Sequence, residues 1–543
     1  MKKFLALLAF TGVLLISCSD DDTTMTTTPP PEPINYTSGS ADFSNYVAVG
    51  NSLTAGYSDA ALFIDGQTNS FPNMLASNFA LAGGGAFTIP FMADNLGGLT
   101  LQGQPLPGIG NRLILSFATG SPTPVPVSGQ GSTEVGNILS GPFNNMGVPG
   151  AKSFHLVAPG YGNVAGVPIG AANPFYVRFA SSPSATIIGD AAVQNPTFFT
   201  LWIGNNDILS FATSGGAGID QNGNLDPSTY GSNDLTDPNV FASVYDGLLQ
   251  TLTANGADGV VLNIPDVTSI PYFTTVPHNP LDPTNPAFGP QIPLLNTIFG
   301  TLNQIYTGIG QTERIVVFSE TEASPVVIRD ESLADISATI AGALLASGPT
   351  FEAFIAQFGL PPQAAPLVAN LLGATYGQSR QATPEDLVVF PSASVIGTVN
   401  TDAVQALVGQ GLSAELAGQF SVEGVSLPLE DKWVLTPDEQ TSVTGALASY
   451  NQTIAALAQA YDLAFVDANG YLQTVADVGI PLSDGSTITA TYATGGGFSL
   501  DGVHPSPRGY ALVTNLVVEA INAKYGSNLP GVDPLDYTGL YLQ

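Results

Sequence analysis

Four short apolar runs punctuate the chain, at 46–49, 197–203, 259–264 and 463–467, each bounded by Gly, Asn, Asp or Pro. Continuous runs of this length between turn-forming residues predict buried strands of a parallel sheet. Between them the apolar period lengthens to that of a helix. Segment 238–254 carries Val240, Val244, Leu248, Leu249 and Leu252 on one side, and 72–82 carries Met74, Leu75, Phe79 and Leu81. Thr436, Pro437 and Glu439 form a helix start with a capping box, and that helix extends to about 461. Ser506-Pro507 opens a last helix to 525, with Tyr510, Val513, Val517, Ala520 and Ile521 along one face. Strands alternating with helices predict an α/β fold with a largely parallel sheet.

Two long stretches break this alternation. Gly, Pro and Ser dominate 83–143, and no regular element is assigned there. Residues 272–432 are additional material within the α/β frame, with apolar helical segments at 332–347, 350–358 and 364–372. Segments 314–319 and 386–391 resemble each other, though not enough to make a repeat. The insertion is either a cap over the active site or an appended subdomain.

The N-terminus reads as an address. Lys2 and Lys3 precede an apolar run, 4–16, too short to span a bilayer. The run ends in Leu15-Ile16-Ser17-Cys18, which resembles a bacterial lipobox. That resemblance implies cleavage of 1–17, acylation of Cys18 and an outer-membrane anchor. Ser19-Asp20-Asp21-Asp22 resembles the acidic surface-export signal of Bacteroidota lipoproteins. A Thr/Pro-rich tether over 18–41 follows, then a single domain over 42–543 that begins in earnest at Asn45. Cys18 is the only cysteine, which excludes disulfides and thiolate metal sites.

Composition narrows the function. Apolar residues make up 44% of 543, enough for a large core. The 43 acidic against 11 basic residues give a net charge of −32, and loss of a leader with Lys2 and Lys3 makes it more negative. Such a surface repels phosphates, which argues against nucleic acid and anionic headgroups as partners.

Ser52 follows the first strand in Gly50-Asn51-Ser52-Leu53, where a nucleophile is exposed at the carboxyl end of a sheet. A general base must be His155, His278 or His504, the only three histidines. Asp501 stands three residues before His504, a carboxylate placed to orient an imidazole. His155 and His278 lie in Gly/Pro-rich loops without such a carboxylate. Asn144 to Ala151 offers glycines that let backbone N–H groups approach a ligand, and Gly204-Asn205-Asn206-Asp207 sets an amide just past a strand.

Taken together, these blocks resemble the GDSL family, or SGNH hydrolases. The resemblance covers about 45–60, 140–155, 197–267 and 435–525. It implies a flavodoxin-like, three-layer α/β/α sheet fold and an esterase or lipase-like activity on carboxylic esters, with no cofactor and no metal. It implies Ser52 as nucleophile, His504 as base and Asp501 as its orienter, with the Ser52 N–H, Gly150 N–H and Asn206 amide as oxyanion donors. The departure is Asn51, where the family has Asp. The substrate is an acyl lipid or an acylated glycan, a choice the motifs leave open. A second reading is a surface lipoprotein that binds glycan or lipid without catalysis. In Asp220 to Asp226, alternating oxygens around Gly223 suit calcium, but no acid stands where a bidentate ligand is needed, so an Asx-rich turn is favoured.

Overall fold

The computed structural model describes residues 34–118 and 122–542. The leader, Cys18 and most of the tether lie outside the described residues. Five strands, β1 (Tyr46–Gly50), β2 (Asn145–Gly147), β3 (Phe198–Trp202), β4 (Asp258–Leu262) and β5 (Ala464–Val466), form one sheet. All neighbours pair in parallel, in the order β2-β1-β3-β4-β5. The fold is therefore α/β with an all-parallel central sheet, as the apolar runs predict.

Every residue of β1 and β3 is buried, because helices cover both faces. Alternate positions face opposite layers. Tyr46 and Ala48 pack with α1 (Phe71–Leu81) and α6 (Pro507–Tyr525). Val47 and Val49 pack with α3 (Pro238–Thr253) and α4 (Pro437–Ala460). The Thr436–Glu439 capping box opens α4, with Glu439 Oε2 accepting the Thr436 N–H at 2.7 Å. Two shorter helices, α2 (Asn205–Thr213) and α5 (Ala468–Asp477), follow β3 and β5 directly.

Residues before Asn45 already pack on the α/β body. Ala41 and Phe43 are buried, and Ser40 donates its N–H to Tyr525 O at 2.8 Å. Residues 40 and 41, read from the sequence as the end of the tether, are thus tied to the folded body. Polar composition hid a segment that docks on the end of α6.

Residues 276–434 build a second apolar core from Ile292, Phe299, Leu302, Ile340, Phe354, Leu372, Tyr376 and their neighbours. The helix Ile292–Gly308 in this core was not expected from the sequence pattern. It serves partly as a strand substitute. The side-chain amides of Asn296 and Asn303, two turns apart, each bond both the N–H and the C=O of Phe318 and Val316. The apolar run 314–319 thus has its backbone satisfied without a strand partner. The helix expected over 332–347 occupies only Ser337–Ala346, because Asp330 and Asp335 take the Ser332 and Ser337 N–H groups in Asx turns.

Candidate active site

Gly50 ends β1 in register with Gly147 on one side and Trp202 on the other. The loops after β1, β2 and β3 therefore leave the sheet side by side at its carboxyl edge. A Cβ on Gly50 would lie 2.4 Å from Trp202 O and 2.2 Å from Thr54 Oγ1, so only glycine lets the chain turn there. Ser52 then starts a one-turn helix, Ser52–Ala55, capped by the Asn51 side chain accepting the Leu53 N–H at 3.0 Å. Asn51 also donates through Nδ2 to Asn205 Oδ1 at 3.0 Å. The amide thereby couples the first and third motif blocks.

Ser52 is 6% exposed, and its Oγ lies 2.9 Å from His504 Nε2. His504 Nδ1 lies 2.8 Å from Asp501 Oδ2. Serine, imidazole and carboxylate stand in one hydrogen-bonded line across 452 residues of sequence. The Tyr57 ring covers the imidazole, with centroids 4.7 Å apart. Tyr57 is fixed in turn, its N–H to Ser52 O and its C=O accepting from Tyr510 Oη at 2.7 Å.

Burial alone would push the Asp501 carboxyl up, but the His504 ring and several donors outweigh it and hold it near 2. Oδ1 accepts the Val503 and His504 N–H groups and the Ser499 hydroxyl, at 2.8, 2.9 and 3.0 Å. Oδ2 accepts the Ala60 N–H at 3.0 Å. Sequence reasoning missed the residues behind this arrangement. Asp59 and Ala60 both take positive φ, 51° and 63°, without being glycine. The buried Asp59 accepts the Leu500 N–H at 2.9 Å and donates its own N–H to Ser499 Oγ at 2.9 Å. Burial raises its carboxyl to about 6. The only signal in the sequence was an Asp seven residues after Ser52, without a pattern to give it meaning.

Asn206 lies at the second position of α2 and lines the same cleft as Ser52 and His504. Its Nδ2 donates to Ala151 O at 2.9 Å, which orients the amide and leaves its second hydrogen for a ligand. The fully buried Asp207 accepts the Ser153 N–H and hydroxyl at 2.7 and 2.6 Å, tying this block to the segment after Gly150. Gly150 adopts φ +79°, available to glycine at low cost, and its N–H has no acceptor among the described residues. It is exposed, at the end of the loop that leaves β2, and is not part of the cleft wall that holds Ser52, Asn206 and His504.

The other two histidines are elsewhere. His155 stacks on Tyr161 at 4.4 Å and accepts the Lys152 N–H through Nδ1, and burial lowers it to about 4. His278 lies in the insertion, where its C=O accepts the Val326 N–H. In the 220–226 turn, Asp220 accepts the Asn222 N–H and Asp226 the Ser228 N–H, as Asx turns do. Among the described residues no group of three or more His, Cys, Asp or Glu is arranged to hold a metal ion.

The cleft at Ser52 spans about 920 Å³, counting the open solvent at its mouth. Its walls are α2, α5, α6 and the segment after β4, with no residue from 272–432. The insertion is thus no wall of this cleft. Its first residue does touch the histidine loop, Tyr272 N–H donating to Gly502 O at 2.9 Å. No protein-family model matches the chain, and no curated protein or solved structure does either.

Proposed function

We propose that the protein is a serine hydrolase of carboxylic esters, of the SGNH type. The observation that carries this reading is the Ser52–His504–Asp501 line, with contacts of 2.9 and 2.8 Å. Ser52 Oγ attacks the ester carbonyl carbon while His504 Nε2 takes its proton. The carbonyl π electrons move to oxygen, and the Ser52 N–H and the free hydrogen of Asn206 stabilise that charge, each by about 3 kcal/mol. The C–O bond to the alcohol then breaks, and His504 passes its proton to the leaving oxygen. Water attacks the acyl-serine by the same route in reverse and releases the acid. Asp501, held ionised far below neutrality, keeps Nδ1 protonated and Nε2 free to act. The strand order also supports the reading, since β2-β1-β3-β4-β5 is the order of flavodoxin-like sheets, whose ligands bind at the carboxyl edge.

The test is labelling by a fluorophosphonate, which phosphonylates an activated serine with loss of fluoride, together with turnover of a chromogenic ester. Labelling that disappears in Ser52→Ala supports the reading. An unlabelled native protein favours a lipoprotein that binds glycan or lipid without chemistry. We also propose that the chain is an outer-membrane lipoprotein acylated at Cys18, supported by the Lys2-Lys3 start, the short apolar run and the lipobox-like sequence.

A further inference from the structure

We infer that the site takes esters with a hydrocarbon arm of about eight carbons rather than acetylated glycan; this rests on the ester-hydrolase reading above. From Ser52 and His504 the cleft continues as a groove between α5 and α6. On α5 it is lined by Tyr471, Leu472 and Val475, and on α6 by Leu512, Val513 and Leu516, each set spaced to share one helix face. No Asp, Glu, Lys or Arg lines it.

A sugar brings hydroxyls on every side, and burying them against such walls without partners is costly. The polar groups here are few, and apart from the Tyr471 hydroxyl, the Asn205 Nδ2 group and the second Asn206 hydrogen they are held by the protein. Asn205 Oδ1 accepts from Asn51, Asn206 is held by Ala151 O, and Trp202 Nε1 donates to Asn263 O. What the groove offers beyond the reacting atoms is apolar surface, and a hydrocarbon chain is the substrate part that gains from it.

Its length sets the chain. From Gly509 to Leu516 a helix rises roughly 10 Å. An extended alkyl chain advances about 1.3 Å per carbon, a C–C bond of about 1.5 Å seen in projection, so about eight carbons fill the groove. Each buried methylene should raise kcat/KM by roughly two- to fourfold until the groove is full. The groove is continuous with Ser52 and His504, so its occupant is covalently part of the substrate. Either the acyl chain or the alcohol chain meets this chemistry, and the assay separates them.

The experiment measures kcat/KM for p-nitrophenyl esters from acetate to palmitate, and for alkyl acetates from ethyl to dodecyl, alongside fluorophosphonate labelling. One series should climb at least about sixtyfold from two carbons to a maximum near eight; a climb in the first assigns the groove to the acyl arm, in the second to the alcohol. Leu516→Trp should lower the ratio of eight-carbon to two-carbon activity at least tenfold. Leu472→Trp, on the opposite wall, should do the same and guards against a folding defect in the first variant. A labelled protein whose rates are flat or highest at two carbons in both series, or whose ratio is unmoved by both Trp variants, overturns the inference. A native protein that neither labels nor hydrolyses any ester overturns the ester-hydrolase reading itself.

Discussion

The backbone N–H of Ala60 donates to Asp501 Oδ2 over 3.0 Å, joining segments 441 residues apart. The contact depends on two consecutive left-handed residues, so the turn that follows Ser52 also grips the carboxylate behind His504. Asp59 completes the grip through Leu500 and Ser499. Asp59→Ala should lower kcat about 10- to 100-fold with KM nearly unchanged, since a displacement near 1 Å at a catalytic group has that scale. Asp59→Asn keeps an oxygen acceptor and should recover most of the rate. Steady-state kinetics on a chromogenic ester, with thermal midpoints for both variants, check this; equal rates in Asp59→Ala and the native protein would refute it.

Asp501→Asn keeps the shape of the site but favours the wrong imidazole tautomer. The expected loss in kcat is about 10⁴-fold, with folding retained. Circular dichroism beside the kinetics separates the two effects.

Asn206→Ala removes one proposed oxyanion donor and leaves the Ser52–His504 pair in place. It should cost about 10² to 10³ in kcat. Because Nδ2 also holds Ala151 O, a crystal structure of the variant should show whether the loop after Gly150 has moved.

Three partly or fully buried acids predict a dependence of stability on pH. Burial raises Asp59 and Asp431 to about 6 and Glu439 to about 7. Carboxyls raised by folding bind more protons in the native state, so their contribution is complete below the unfolded pKa and is lost as pH rises through 6 to 7. His155, lowered to about 4 by burial, acts in the opposite direction below about 6.5, its ordinary pKa. The three acids outweigh the one histidine, so on these groups the thermal midpoint should rise from pH 7.5 down toward the unfolded carboxyl values of about 4. Glu439→Gln should flatten that rise, as differential scanning calorimetry at several pH values will reveal.

Cys18→Ala should abolish incorporation of labelled palmitate and release the protein from the membrane fraction. Retained labelling would place the acyl chain elsewhere.

The elements that could be read from the sequence are those whose apolar period is long or whose ends carry caps. The strands at β1, β3, β4 and β5 are continuous apolar runs, and α3, α4 and α6 begin at Asp237-Pro238, Thr436-Pro437 and Ser506-Pro507. Strand β2 was not legible, because three residues, Asn145–Gly147, are too few to show a period. The helix Ile292–Gly308 has an apolar face broken by Asn296 and Asn303, which serve a neighbouring backbone instead. Ser52, His504, Asp501 and Asn206 were legible because their spacing within short motifs is local. Asp59 was not, because its meaning comes from a loop more than 400 residues away.

The docking of Ser40 and Ala41 on the end of α6 has a consequence for how the chain is made. Strand β1 leaves the ribosome almost first, yet its helix partner α6 and the His504 loop emerge last, after the whole insertion. A nascent or truncated chain ending anywhere before residue 501 carries a nucleophile without base or orienter, and an amino-terminal segment with nothing to rest on. On the proposed reading, hydrolytic competence arrives in one step with the final forty or so residues, and the chain travels through synthesis chemically silent.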